Sequence, residues 1–418
     1  MNKAVLEPLI KPSSDTQHEQ VEKTAKSSST AAADKKAAAS SEDGVKKKMG
    51  YKDVAQRTIY TILMAYVFLA CISVGVRFGI FLTLVICFGM FFEVTRINQR
   101  FRKERQLPSM KIVKWYFFIA STSFMTINAA RAPLRNALPL LAPYEQMLPF
   151  LSFSSVMGGL VFFVLSLRKG LYRYQFIQFT WITMTLIVLC AQCSASLHNM
   201  MRGMIWFLLP VSCVVNNDIW AYVFGKLFGR TKLLSLSPKK TVEGFLGSFL
   251  FTVAWGFWFC GFLSYFPEMY CPAVGFTNDV NTQCVKDPIY IQHEVQLPAL
   301  VQQLSGGSLS TILVSRAQQH ALVLAVFASL LAPFGGFFAS GLKRAFKLKD
   351  FGDLIPGHGG MTDRMDCQGI MGIFTYFYLR TYVFDRCPAL VDITRCALAL
   401  SVTQRRALMA LIAESLGE

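Results

Sequence analysis

The chain reads as an all-α polytopic membrane protein, with about nine transmembrane helices and two polar loops that form one site. Three observations point there. Only 16% of its 418 residues are charged, while 53% are hydrophobic and 36 are Phe; soluble domains are nearer a quarter charged. Apolar runs recur at about the 20 residues that a bilayer core of roughly 30 Å demands of a helix. The runs are continuous rather than alternating, which argues against a transmembrane barrel.

Residues 1–56 are expected to form a disordered cytosolic tail. Its Ala/Ser/Lys-rich middle cannot bury enough apolar surface to fold alone. It lacks the apolar stretch of a secretory signal. Its first Arg is Arg57, and acids such as Glu7, Asp15, Glu19 and Glu22 make it unlike a mitochondrial presequence.

Residues 57–200 hold the first five candidate spans: Tyr60–Val76, Phe78–Val94, Trp115–Ala130, Pro149–Leu167 and Phe176–Cys193. Residues 201–385 hold Met204–Phe224, Phe245–Phe266, Ala321–Gly341 and Gln368–Tyr382, with motif loops at 217–244 and 340–366. In the tail 386–418, Ser401-Val402-Thr403-Gln404 predicts a capping box that opens a short amphipathic helix to Leu416.

Cation bias sets the orientation. Arg96–Lys114 carries seven Lys and Arg, so it is expected to be cytosolic. Counting spans outward puts Arg168–Arg173, Lys226–Lys240 and Lys343–Arg364 on the same side. The opposite loop, Pro267–Gln319, has only Lys286 and Arg316 against four acids. The formal charge of +17 is thereby explained by loops facing anionic headgroups, and no nucleic-acid motif is present. Eleven cysteines show no metal spacing. Cys71, Cys87 and Cys260 lie in apolar runs and read as packing residues. Cys271 and Cys284 flank the outer loop, and the sequence leaves their pairing open.

The stretch Ser340–Asp366 gathers the chemistry. Lys343 and Arg344 stand at the end of the eighth span, followed by Lys349 and Asp350 and the turn Pro356-Gly357-His358-Gly359-Gly360. Lys343 and Arg344 alone would pass for interfacial anchors. The glycines permit positive φ and close approach of backbone to an anion. Asp363 and Asp366 are at i, i+3, so a helix starting near Thr362 puts both on one face of its first turn. Two such carboxylates suit Mg²⁺, which in phosphate chemistry takes one or two of them. In the other loop, Asp218 lies inside an apolar span, where a carboxylate is costly and marks a candidate site. Lys239, Lys240 and Thr241 follow. Neither a Walker A pattern nor GxGxxG occurs.

These stretches resemble the phosphatidate cytidylyltransferases, or CDP-diacylglycerol synthases. The resemblance rests on Ser340, Lys343, Arg344, Lys349, Asp350, Pro356, His358, Gly359, Gly360, Asp363, Arg364 and Asp366 at matching gaps. Asn217-Asp218, Phe224-Gly225-Lys226 and the run Ser237-Pro238-Lys239-Lys240-Thr241 with Glu243-Gly244 add to it. It covers about residues 57–385 and looks like the eukaryotic branch, found mainly in the endoplasmic reticulum. Bacterial members usually carry an acid where this chain has Gly336, so Asp218 and Asp350 are candidates for the missing charge.

The resemblance implies transfer of a cytidylyl group from CTP to phosphatidate, releasing pyrophosphate. Metal ligands would come from Asp363, Asp366, Asp218 and Asp350. Lys343, Arg344, Lys349, Arg364, Lys239 and Lys240 would hold phosphates. Ser340 is expected in the catalytic set, with Asn217, Ser237, Thr241, Glu243, Gly359 and Gly360 in substrate binding. His358 is read as bonding a phosphate or its own turn rather than as a base, since the attacking phosphate is already largely ionised (second pKa about 6). Expected partners are CTP, phosphatidate and the bilayer, with a homodimer left open and nucleic acid excluded. The alternatives are a CTP-dependent lipid or polyprenol kinase, which would release CDP, and a transporter, to which the break Ala332-Pro333-Phe334-Gly335-Gly336 would be suited.

Overall fold

The computed structural model describes residues 51–101, 108–131, 134, 139–234, 237–272, 284, 286–296, 302, 310–355, 359–384, 397–398 and 402–416. Helices dominate. In chain order they are α1 (Tyr51–Val74), α2 (Val76–Phe101), α3 (Pro108–Ala129), α4 (Leu148–Leu165), α5 (Tyr172–Met201) and α6 (Ile205–Leu227). A hairpin follows, β1 (Lys232–Leu234) with β2 (Ser237–Thr241), and leads into α7 (Val242–Leu263) and the single turn α8 (Pro267–Tyr270). A second hairpin, β3 (Gln292–Gln296) with β4 (Thr311–Ser315), precedes α9 (Arg316–Leu330) and α10 (Pro333–Ala345). Last come α11 (Thr362–Tyr378), a π turn at Leu379–Phe384, and α12 (Val402–Leu416), which is exposed along most of its described length.

The predicted spans fall largely on these helices, the eighth on both α9 and α10, but among the described residues only six stretches are long and apolar enough to cross a membrane. They are Val76–Ile97, Leu148–Leu165, Tyr172–Met201, Ile205–Leu227, Val242–Leu263 and Arg316–Ala345. The other three fall short for visible reasons. The apolar part of α1 is only Thr58–Val74. Helix α3 carries Lys111 and Lys114 in its first turns. Helix α11 has 17 residues and opens on Thr362, Asp363, Arg364 and Asp366. The protein is an integral membrane protein on the strength of the six. Their outward faces agree with that, for large apolar side chains such as Phe81, Phe150, Leu165, Leu250 and Phe338 are exposed.

Two features of the bundle position the site. Helices α6 and α7 meet through glycines: a Cβ on Gly244 would lie 2.7 Å from the Ala221 carbonyl oxygen, and one on Gly247 2.5 Å from the Phe224 ring. Small residues allow such backbone approach where burial from water cannot drive helices together. Helix α9 lays Ala317, Ala321, Leu324, Ala325 and Ala328, all fully buried, against the same region, with Ala325 tight on Gly256. The predicted eighth span is interrupted: α9 stops at Leu330 and α10 restarts with Pro333 in its first turn. Proline has no N–H to donate, so it begins a helix more readily than it continues one.

Helix α10 ends in a Schellman motif. The Lys347 N–H donates to the Arg344 carbonyl at 3.0 Å and the Leu348 N–H to the Lys343 carbonyl at 2.8 Å. Lys347, at φ 49°, occupies the left-handed position usually given to glycine. Leu342 and Leu348 join the same apolar cluster, which closes the turn. The chain then folds back so that α11 packs against α2, α5, α6 and α10. The segment after α8 carries a disulfide between Cys271 and Cys284, with Cα atoms 6.2 Å apart.

Candidate active site

Asp363, in the first turn of α11, is the best-anchored acid of the region. Its Oδ1 accepts from Lys343 Nζ at 2.6 Å, and its Oδ2 accepts the N–H groups of Phe351 at 2.9 Å and Gly360 at 3.2 Å. Both side chains are largely buried, at 16% exposure for Lys343 and 8% for Asp363. Lys343 Nζ also stands 5.5 Å from the Phe351 ring centroid. One carboxylate thus ties the end of α10, the chain after it and the start of α11 together. The Gly360 N–H is already engaged and does not point at an open pocket.

Asp366, one turn on, is held differently. Its Oδ1 accepts the N–H of Cys367 at 2.7 Å. Its Oδ2 faces α10 at Gly336, where a Cβ would stand 3.4 Å away. Burial pushes its carboxyl above the ordinary carboxylate range; the Cys367 N–H opposes this, and the Asp218 carboxylate adds to it. Lys343 acts in the opposite sense.

Asp218 on α6 lies within electrostatic reach of Asp366, and of the cations Lys240, from β2, and Arg364, from α11. Lys240 Nζ sits 4.9 Å over the Phe337 ring of α10, which holds β2 beside the second motif. Asn217 is buried with its Oδ1 unpartnered among the described residues. The two motif loops, about a hundred residues apart in sequence, meet at one end of the bundle.

The remaining motif residues of the first loop shape it. Ser237 pairs with Leu234 in the β1–β2 ladder. Thr241 caps α7, its hydroxyl accepting the Gly244 N–H at 3.2 Å. The Glu243 carboxylate accepts the N–H of Arg230 at 3.1 Å and of Thr231 at 3.1 Å, and the Thr231 hydroxyl at 2.8 Å. These contacts fold the loop back onto the start of α7. Lys239 lies on β2, and its side chain is outside the described residues.

In the second motif, Ser340 is half-buried on α10, while Arg344, Lys349, Asp350 and Arg364 are exposed. Gly359, at φ 82°, closes a tight loop by giving its carbonyl to the Ile355 N–H at 3.0 Å. A Cβ on Gly359 would lie 3.4 Å from Asp350 Cγ, so Asp350 flanks that loop. His358 lies outside the described residues.

Among the described residues no cluster of three or more His, Cys, Asp or Glu is arranged for a metal. The pair Asp218 and Asp366 nevertheless suits a divalent ion. Two carboxylates held near each other in a partly buried place repel, and Mg²⁺ bound beside phosphate needs only one or two of them. Asp363 suits it less as it stands, because an ammonium and two N–H groups already occupy its oxygens.

One buried carboxylate at this end of the bundle escapes the sequence reading. Glu93 of α2 is 2% exposed, and it accepts the N–H groups of Met361 at 2.8 Å and Thr362 at 2.9 Å. The signal was present in Phe91-Phe92-Glu93-Val94: an acid at the end of an apolar run.

Fold and site together define a membrane-embedded enzyme that handles phosphates, with cations and carboxylates gathered at the end of a helical bundle. Comparison with known proteins makes this specific: a model of the cytidylyltransferase family matches residues 55–382, and the chain belongs to that family. Phosphatidate cytidylyltransferase 1 of Arabidopsis thaliana is 39% identical, over 82% of this chain and 82% of its own length. Phosphatidate cytidylyltransferase 2 of Bos taurus is 38% identical over 78% and 74%, respectively. Phosphatidate cytidylyltransferase 1 of Mus musculus is 40% identical over 80% and 73%.

Proposed function

We propose that this chain transfers the cytidylyl group of CTP to phosphatidate, giving CDP-diacylglycerol and pyrophosphate for phospholipid biosynthesis. The observation that carries the reading is the meeting of Asp218 and Lys240 with Asp366, Arg364 and Lys343 at the end of a membrane bundle. A phosphate oxygen of phosphatidate attacks the α-phosphorus of CTP, and the bond to the pyrophosphate oxygen breaks. Such a reaction needs positioning and charge neutralisation more than covalent chemistry.

Lys240 and Arg364 would grip phosphates beside Asp218. Arg344 and Lys349, exposed at the rim, and Lys239 would draw the anionic substrates in. Mg²⁺ would be held by Asp366 and Asp218, with Asp363 joining if Lys343 turns to a phosphate, and Asp350 beyond them at the Gly359 loop. When bound, the ion supplies positive charge to the triphosphate and the leaving pyrophosphate.

In this reading the site faces the cytosol from the endoplasmic reticulum membrane. The cation-rich loops support it. So does the Cys271–Cys284 disulfide, which follows the far end of α7. A helix of that length spans about 33 Å, and disulfides persist on the oxidising side of a membrane.

The test uses purified protein in detergent with phosphatidate. CTP is compared with ATP, GTP and UTP, with and without Mg²⁺, and the released product is followed from labelled nucleotide. Pyrophosphate release that requires CTP and Mg²⁺ is expected. Release of CDP instead would identify a kinase and sink the proposal.

A further inference from the structure

We propose that Glu93 is a positioning residue for this reaction: from the second helix it sets the start of α11, and with it Asp363 and Asp366. The inference rests on the reading of those two aspartates as part of the reacting site.

The first N–H groups of any helix have no partner within it. At α11 Glu93 takes those of Met361, the N-cap, and Thr362, one on each oxygen, while Asp363 takes the N–H of Gly360 just before them. A negative charge there is also favoured by the helix dipole. Among the described residues Glu93 makes no ion pair, so its recognised partners are this backbone alone.

The surroundings are shaped for that contact. A Cβ on Gly352 would lie 2.8 Å from Glu93 Oε1, and one on Gly360 2.7 Å from Oε2. Only bare backbone on both sides lets the carboxylate enter. One face of α2 makes the whole seat. Gly89, one turn before Glu93, leaves room for Met361 and Leu354. Ile97, one turn after, packs with Ala339 and Phe351. Residues 89, 93 and 97 share a helix face, so α2 supports Phe351, Leu354, Met361 and Thr362 along two turns.

Because Asp363 and Asp366 follow Thr362 within a turn, any rotation of the helix start moves both. A shift on the order of 1 Å is enough to cost about a hundredfold in rate when reacting groups must be aligned. An occupied helix N-terminus is also closed to phosphate, which would otherwise bind there. Glu93 thereby steers substrate phosphates toward Lys240 and Arg364.

The test compares Glu93→Gln and Glu93→Ala with the unaltered full chain in detergent. Expected are a kcat lower by tenfold or more in Glu93→Ala, a smaller loss in Glu93→Gln, and a Mg²⁺ half-saturation raised at least fivefold. A loss of folded protein alone would lower kcat without moving that half-saturation. Amide hydrogen exchange at Met361 and Thr362, in protein free of substrate, should speed up tenfold or more. Gly352→Ala, which crowds Oε1 while leaving the carboxylate in place, should shift the same quantities in the same direction. Kinetics and Mg²⁺ half-saturation within twofold of the unaltered protein in both Glu93→Ala and Gly352→Ala would overturn the proposal, as would failure of both to fold. Asp363→Asn and Asp366→Asn, run alongside, test the underlying site separately: if they keep full activity, that reading fails whatever Glu93 does.

Discussion

Replacing Asp363 by Asn tests the best-defined contact of the site. In the structure its carboxylate holds one buried ammonium at 2.6 Å and two backbone N–H groups. The amide keeps one accepting oxygen but removes the charge, and its NH₂ faces donors. Leaving one partner of a buried pair uncompensated costs about 3–5 kcal/mol; the oxygen that remains puts the expectation at about 3 kcal/mol. Lys343→Met alone leaves Asp363 with its two N–H donors, and about 2 kcal/mol is expected, in the range of one hydrogen bond to a charged group. The double variant removes both charges, so its cost should fall short of the sum by at least about 1 kcal/mol, as for residues in direct contact. Stability is read by pulse proteolysis in urea and turnover by pyrophosphate release. Turnover of Asp363→Asn should fall by about a hundredfold or more, as when a transition-state charge stabiliser is lost. Additive stabilities would refute the pairing argument. Turnover within threefold of the unaltered enzyme would show that Asp363 only braces the turn.

The other substitutions probe different parts of the same design. Asp366→Asn should lower kcat by about a hundredfold or more and raise the Mg²⁺ half-saturation, with a small effect on stability because among the described residues Cys367 is its hydrogen-bond partner; unchanged Mg²⁺ dependence would remove it from the ion site. Gly244→Ala forces a Cβ to within 2.7 Å of the Ala221 carbonyl and should destabilise the α6–α7 contact by about 1–3 kcal/mol, seen as faster thermal inactivation. Lys347→Gly relieves the left-handed backbone at the end of α10 and should stabilise by about 1 kcal/mol with kcat unchanged, measured in the same assay.

Much of this was legible in the sequence because two signals were local. Continuous apolar runs mark helices wherever they lie, and the predicted spans fall on helices, the eighth on two. Asp363 and Asp366 share a helix face if a helix starts near Thr362, and α11 begins at that residue. What could not be read was geometry that depends on partners distant in sequence. The i, i+3 rule puts both aspartates on one helix face, yet they have different neighbours. Asp363 meets Lys343 across the α10–α11 turn, whereas Asp366 meets Asp218 from α6. Six stretches among the described residues have the length and apolarity of a membrane span, against about nine expected; α11 owes its start to loop contacts and its packing to α2, α5, α6 and α10, so it does not need the apolar length of a lipid-facing helix.

The division of labour among the acids follows from what each one touches. Glu93 and Asp363 are consumed by the protein, since between them they take one ammonium and four backbone N–H groups. Neither has an oxygen to spare for a substrate or ion without breaking part of the frame. Among the described residues Asp218 and Asp366 have few protein donors, and the charge of Asp218 disfavours ionisation of Asp366, which is a poor arrangement for a resting scaffold. It becomes favourable when a cation and a phosphate arrive together, because the ion offsets the carboxylates while Lys240 and Arg364 offset the phosphate. Binding either one alone leaves like charges facing each other. The site is therefore expected to take the nucleotide as its metal complex, with affinity for free CTP well below that for MgCTP. Isothermal titration with and without Mg²⁺ measures this directly, and equal affinities would show that the aspartate pair does not act on the ion.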